Sequence, residues 1–363
     1  MTALSRAEEL CAELPALEYG SLAAFLSGAS DWMLRALPRY LPRGEPADFL
    51  YDPARDYPLR GGKRFRPALL LLSCALAGGD PARAVPSAVA LELFQAFALV
   101  HDDIEDGSQM RRGRPALHRL HGVPLAINAG DLLYGLVYEA LLDNETLIGA
   151  PRTLAILREF AEAFRRTFEG QALDIGWIRA GRMPARAEFE TMIRLKTAWY
   201  SGRAPCRIGA GLAGAAAGVL DALGTYGEHL GIGFQIRDDL LNLTEDSAGA
   251  APEAAGGGYG KERGGDIAEG KRTLIVIEML ERLPPAEARR VGGILALPPE
   301  RTSPQDIEWT IAAAERCGAL DAARRHCRVQ GEAALSALSA LPDSPQRRLL
   351  AELALFLTGE RTA

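Results

Sequence analysis

Apolar residues return along most of this chain at three- and four-residue spacings, with Glu and Arg between them, and Val-Ile-Thr alternation is scarce. That period belongs to helices buried on one face, so the pattern predicts an all-α fold. A first long helix is expected over residues 19–40, ending at Pro42, followed by a Pro- and Asp-rich connection over 43–59. KRFRPALLLLSCALAGG then reads as a buried helix that opens near Pro67 and closes at Gly78 and Gly79. Pro86 begins the next helix, which runs to the acids at 102–106. Residues 125–142, 153–178 and 226–245 read as further core helices. Small residues crowd 209–218 (GAGLAGAAAG), which permits close helix–helix approach; no strand leads in, so a cofactor loop is not expected there. Residues 247–265 are Gly- and Ala-rich and read as a flexible lid loop. Residues 267–357 read as helical, with breaks at Pro284–Pro285, Pro298–Pro299 and Pro342. Without a fixed repeat or a clear linker, a single domain over 1–363 is the simplest organisation, residues 1–60 supplying N-terminal helices.

The densest chemistry lies at 99–115, LVHDDIEDGSQMRRGRP. Asp102 and Asp106 stand four apart and share a helix face, with Asp103 beside them. Carboxylates directed into one space repel unless a cation lies between them, and an oxygen-only donor set favours a hard ion such as Mg²⁺, which shares its remaining positions with water and phosphate. Arg111 and Arg112 follow closely and supply guanidinium forks suited to phosphate oxygens. A DDxxD string is ordinarily a solvated helix face. Here the preceding LELFQAFALVH is apolar, so the helix is expected to be buried up to the aspartates, and buried carboxylates need a partner or a metal. His101 is expected to pack beside the acids, and His118 and His121 are not read as a metal site.

A second acidic helix, LGIGFQIRDDLLNLTED (230–246), repeats the pattern with Asp238 and Asp239 after an apolar run, and has Asn242 where a third acid is expected. Two buried acidic helices of one bundle can face each other and share metals. Basic residues gather at Lys63, Arg64 and Arg66, at Lys196 and at Lys261 with Lys271, two of these groups beside paired glycines that let backbone approach an anion.

Composition narrows the partners. Hydrophobic content of 48% and charged content of 24% are those of a water-soluble globular chain, and a net charge of −6 argues against nucleic acid. The five cysteines are scattered and lack CxxC spacing, so no disulfide framework or zinc site is expected and a reducing cytoplasm fits. Residues 1–19 carry Glu8, Glu9, Glu13 and Glu18, unlike a signal peptide, and runs such as 67–78 are too short to span a bilayer.

Together GGKRFRP (61–67), Gln95, DDIED (102–106), RRGRP (111–115), GQALD (170–174), KTAWYSG (196–202), FQIRDD (234–239) and GKERGGDIAEGK (260–271) resemble a trans-isoprenyl diphosphate synthase, the family of farnesyl and geranylgeranyl diphosphate synthases. The resemblance covers roughly residues 61–280, with every motif in order. It implies an isoprenoid synthase-type helical bundle around a central cavity, acting as a Mg²⁺-dependent homodimeric prenyltransferase on isopentenyl diphosphate and dimethylallyl, geranyl or farnesyl diphosphate. By the same resemblance Asp102 and Asp106 hold Mg²⁺ with Asp103 in support, and Asp238 holds a further Mg²⁺ assisted by Asp239. Arg111, Lys196, Lys261 and Lys271 attend the allylic diphosphate, while Lys63, Arg66, Gln95 and Arg112 cradle isopentenyl diphosphate. Thr197 and Gln235 resemble residues beside the developing carbocation, and Gln171 and Asp174 support the metals. Asn242 departs from the family's third acid.

Ala98 lies one turn below Asp102, where a small side chain leaves room for a growing chain, with Phe97 and Phe94 further round as a floor. A C20 product is therefore expected, with C15 or longer products as alternatives. A class I terpene cyclase shares the acidic motif but has no use for Lys63, Arg66 and Arg112, and a non-catalytic regulatory subunit typically loses more acids than Asn242 alone.

Overall fold

The computed structural model describes residues 4–62, 64–244 and 263–359. Lys63, Lys261 and residues 247–262 of the expected lid loop lie outside them.

The helices in chain order are α1 (Arg6–Glu13), α2 (Leu22–Tyr40), α3 (Asp52–Leu59), α4 (Phe65–Leu76), α5 (Val85–Glu105), α6 (Leu117–His121), α7 (Val123–Leu142), α8 (Asn144–Ile148) and α9 (Ala150–Arg179). They continue as α10 (Arg186–Ile193), α11 (Ala204–Leu212), α12 (Ala217–Thr244), α13 (Gly265–Ala268), α14 (Leu274–Arg282), α15 (Pro285–Ile294), α16 (Pro304–Arg316), α17 (Ala319–Leu338) and α18 (Pro345–Thr358). Between α5 and α6 two short antiparallel strands, β1 (Met110–Arg111) and β2 (Arg114–Pro115), make a hairpin. The all-α expectation holds, and the C-terminal helices break at the expected prolines.

The chain divides into two compact units. The first comprises Met1–Phe164, Tyr200–Gly227 and Ala334–Leu353. Its centre is α5, buried on every side from Val85 to Phe97, which packs along α7. A helix that is apolar all round belongs in a core. Helix α4, with Leu69 to Leu72 fully buried, lies against α11 so closely that a Cβ on Gly209 would overlap the Leu70 carbonyl. The small-residue stretch therefore does serve close helix approach.

Within residues 43–59, expected as a connection, residues 47–59 are helical instead: a π-helical turn over Ala47–Tyr51 leads into α3. Pro53 stands in the first turn of α3, where a missing N–H costs nothing. Burial of Pro53, Ala54, Tyr57 and Pro58 offsets the weak helix propensity.

The second unit comprises Arg165–Trp199, Glu228–Ala333 and Ala354–Ala363. Its core joins Trp177, Ile193, Ile232, Ile236, Leu240, Leu274, Ile275 and Ile311. Two helices, Pro81–Glu105 and Val123–Ile148, are long and apolar enough to cross a bilayer by length and composition, although 83% of the most apolar stretch of the first is buried inside the molecule.

Candidate active site

The apolar run of α5 ends in the first acidic station. Asp102 and Asp106 are half-buried, and the Asp106 N–H donates to the Asp102 carbonyl at 2.8 Å, so the last turn brings the two residues together. Asp103 is fully buried. It accepts the Tyr57 hydroxyl at 2.5 Å and both Arg111 Nε, at 3.0 Å, and Arg111 Nη2. Arg111 Nη2 also lies 3.6 Å from Asp102. Burial works against the Arg111 charge, yet Asp103 and then Asp102 override it and raise the guanidinium above its usual pKa. The aspartates thus divide their tasks: Asp103 is satisfied internally, while Asp102 and Asp106 are the partly open pair.

Arg111 and Arg112 are placed by the hairpin, whose two-residue turn puts Arg112 and Gly113 at φ +52° and +71°. Positive φ at both central residues is the hairpin turn that matches strand twist, and arginine is an unfavourable choice there. Arg64, which caps the start of α4, also has positive φ, +43°; these are the only two non-glycine residues so held among the described residues. Such backbone is uncommon outside glycine, and both residues fall in one arginine cluster. Arg64 pairs with Glu92 at 3.1 Å, and both are buried. Arg112 donates to the Gly61 carbonyl and lies against Gly62, where a Cβ would come within 3.0 Å of its Nη2. Burial lowers the Arg112 pKa, Glu92 opposes this, and Arg111, Arg64 and Arg66 lower it further. Arg66 donates to Ser201 Oγ at 2.9 Å and to the Tyr200 hydroxyl at 3.2 Å. Gln95 is buried, and its Oε1 has no hydrogen-bond partner among the described residues. Arg112 thus lies within reach of the charges of Arg111, Arg64 and Arg66, a concentration of guanidinium groups that suits an anion of more than one charge.

Below the acids, Ala98 is half-buried and Phe97 buried. Phe94 is fully buried and stacks on Phe164 with centroids 3.9 Å apart; Tyr134 lies 5.0 Å from Phe97 and 5.7 Å from Phe164. His101 packs on Phe97 at 4.6 Å, beside the acids as expected.

The second unit holds the second acidic station on α12. Asp239 is buried and accepts Gln235 Nε2 at 2.9 Å, while Gln235 Oε1 accepts the Thr197 hydroxyl at 3.0 Å. Burial drives the Asp239 carboxyl well above the usual carboxylate range, and Asp266 and Asp238 add to this against Gln235 and Lys271. Asp238 is half-buried. Lys271 reaches Asp266 at 3.1 Å and Glu269 at 2.6 Å. Lys196 Nζ lies 2.5 Å from Asp174, within a π-helical segment over Arg194–Arg203. Such segments are rare and gather at functional sites. Here α9 touches it backbone to backbone, since a Cβ on Gly170 would overlap the Lys196 nitrogen. Gln171 is half-buried, one turn before the buried Asp174. Asn242, fully buried, accepts the Asp266 N–H on its side-chain oxygen at 3.1 Å and the Gly264 N–H on its carbonyl at 2.8 Å. It anchors the entry to α13.

Tyr57, Glu92 and Asp266 did not stand out in the sequence. A buried tyrosine, a helical glutamate and one acid in a Gly-rich segment carry no distinguishing spacing. Of the 41 basic residues only Lys63, Lys196, Lys261 and Lys271 are lysines, and all four fall in the motifs quoted above.

Comparison with known proteins gives this arrangement its class. The Polyprenyl synthetase family matches residues 47–313. A geranylgeranyl pyrophosphate synthase of Geoglobus acetivorans is 37% identical over 310 residues, covering 85% of this chain and 90% of the relative. The crystal structure of geranylgeranyl pyrophosphate synthetase from Pyrococcus horikoshii superposes with a TM-score of 0.80 at 33% identity, covering 98% of this chain and 100% of the other. A geranylgeranyl pyrophosphate synthase from Corynebacterium glutamicum, complexed with isoprenyl diphosphate and magnesium, gives a TM-score of 0.80 at 28% identity over 94% of this chain and 99% of that one. The fold is that of a prenyl chain-elongating transferase. This chain belongs to the polyprenyl synthetase family of trans-isoprenyl diphosphate synthases.

Proposed function

We propose that the chain condenses isopentenyl diphosphate with allylic diphosphates in the presence of Mg²⁺ and releases geranylgeranyl diphosphate, C20. The observation that carries this reading is α5 itself: a partly open aspartate pair at its end, half-buried Ala98 one turn below, and the Phe94–Phe164 stack two turns below. Asp102, Asp106 and Asp238 offer only carboxylate oxygens, and no group of three or more acidic, His or Cys side chains among the described residues forms a metal cage. That donor set fits Mg²⁺, which binds through one or two carboxylates and completes its shell with water and substrate phosphate. When bound, the ion neutralises charge on the leaving diphosphate.

Arg111, Lys196, Lys261 and Lys271 bind the allylic diphosphate and offset the negative charge that grows as its C–O bond breaks. Lys63, Arg66, Gln95 and Arg112 hold isopentenyl diphosphate, whose double bond attacks the allylic cation. Thr197 and Gln235 present oxygen dipoles to that cation, Asp103 fixes Arg111, and Asp239, Gln171 and Asp174 orient their neighbours. The released diphosphate takes the proton lost from the new chain, and water must be kept from the allylic cation. The chain acts as a cytoplasmic homodimer. Val123, Ile127, Tyr138 and Leu142 leave an apolar stripe exposed on α7, suited to a second copy.

Incubation with isopentenyl diphosphate, a labelled allylic diphosphate and Mg²⁺, followed by chromatography, is expected to give C20; an exclusively C15 product rejects the assignment. Ala98→Phe is expected to shorten the product, and an unchanged chain length counts against the pocket.

A further inference from the structure

Helix α3 lies outside every motif that suggested the function, yet its Tyr57 touches Asp103, Arg112 and the Arg60 that ties the arginine hairpin. Tyr57 is 2% exposed. Its hydroxyl donates to Asp103 Oδ2 at 2.5 Å and accepts the Leu117 N–H at 3.0 Å. Its carbonyl accepts Arg112 Nη1 at 3.4 Å. Its ring lies 4.6 Å beneath the Arg60 guanidinium, which pairs with Asp56 and donates to the carbonyls of Arg111 and Pro115 at 2.9 Å each. A carboxylate holding a guanidinium fork keeps it aimed only while the carboxylate cannot turn. Arg111 grips Asp103 from one side; the Tyr57 hydroxyl holds it from the other.

We propose that Tyr57 is a positioning residue for diphosphate binding, fixing Asp103 so that Asp103 aims Arg111, and steadying Arg112 through its own carbonyl. This rests on the reading of the first station as a diphosphate site. The rival role, space-filling, is met equally well by phenylalanine, so the hydroxyl separates the two.

The test is a double-mutant cycle on the full-length enzyme with Tyr57→Phe, Asp103→Asn and both, recording kcat and KM for each diphosphate substrate at saturating Mg²⁺, with melting curves alongside. Tyr57→Phe is expected to raise KM for a diphosphate substrate about tenfold, the scale of a hydrogen bond to a charged group, with kcat changed far less. Asp103→Asn is expected to cost more, and the double variant no more than Asp103→Asn alone. Arg111→Lys gives the same cycle from the hairpin side should Asp103→Asn fail to fold. A Tyr57→Phe enzyme that melts lower at unchanged KM overturns the proposal, as do losses that multiply in the double variant. Asp102→Ala serves as the reference: if it keeps full synthase activity, the site reading falls and this inference with it. If it is inactive while Tyr57→Phe binds normally, only the role of Tyr57 falls.

Discussion

Lys196 shows why charge alone does not define a station. Its ammonium meets Asp174 at 2.5 Å as a compact point charge, a geometry that a planar guanidinium fork does not reproduce. Lys196→Arg is expected to lower kcat/KM at least about tenfold, the effect of ~1.4 kcal/mol, with a nearly unchanged melting temperature. Asp239 makes a different case. Its folded-state pKa is raised above the ordinary 3.8, so between those values the folded protein holds more protons than the unfolded chain and stability falls as pH rises. Asp239→Asn is therefore expected to raise Tm at pH 8 in chelator by at least about 2–4 °C, the shift of ~1 kcal/mol in a chain of this size. The gain shrinks as pH is lowered towards 3.8. Calorimetry across pH reads this directly; a gain that grows on acidification contradicts the assignment.

Among the elements, those with a strong apolar period were legible and those held by distant contacts were not. Helices α4, α5, α7, α9 and α12 follow from three- and four-residue spacing, and their bounds fall within a few residues of expectation, except that α12 begins nine residues earlier, at Ala217. Helix α3 was hidden because Asp52, Pro53, Asp56 and Pro58 are turn residues by local chemistry, and burial of Pro53, Ala54, Tyr57 and Pro58, with Tyr57 held by Asp103, makes them helical. The hairpin is too short for any alternation to show, and the left-handed backbone of Arg64 and Arg112 contradicts local preference altogether. The aspartates, by contrast, were visible because an apolar helix running straight into a DDxxD string is unlike an ordinary solvated face.

Two element contacts can be probed. Gly209→Ala is expected to push α11 off α4 and cost about 1–3 kcal/mol in a denaturant melt, the range for overpacking. Asn242→Asp keeps an acceptor for the Asp266 N–H but adds a buried charge near Asp239 and Asp266. It is expected to lower apo stability by a similar amount, about 1–3 kcal/mol. A variant as stable as the parent in chelator would show that charge crowding does not explain the amide.

At the scale of the whole molecule, light scattering on the purified chain is expected to give twice the 39.0 kDa chain mass. Charged replacements at Ile127 and Leu142 are expected to return the monomer, and a parent that is monomeric rejects the α7 interface. The scarcity of lysine has a practical consequence. Amine-directed reagents, such as activated esters or aldehyde resins, find almost no bystander side chains on this protein. If Lys63, Lys196, Lys261 and Lys271 bind diphosphate as proposed, coupling through amines would tether the protein by those groups, and diphosphate added beforehand would shield them. Attachment through an engineered, exposed thiol would avoid both those lysines and the aspartates assigned to the metal.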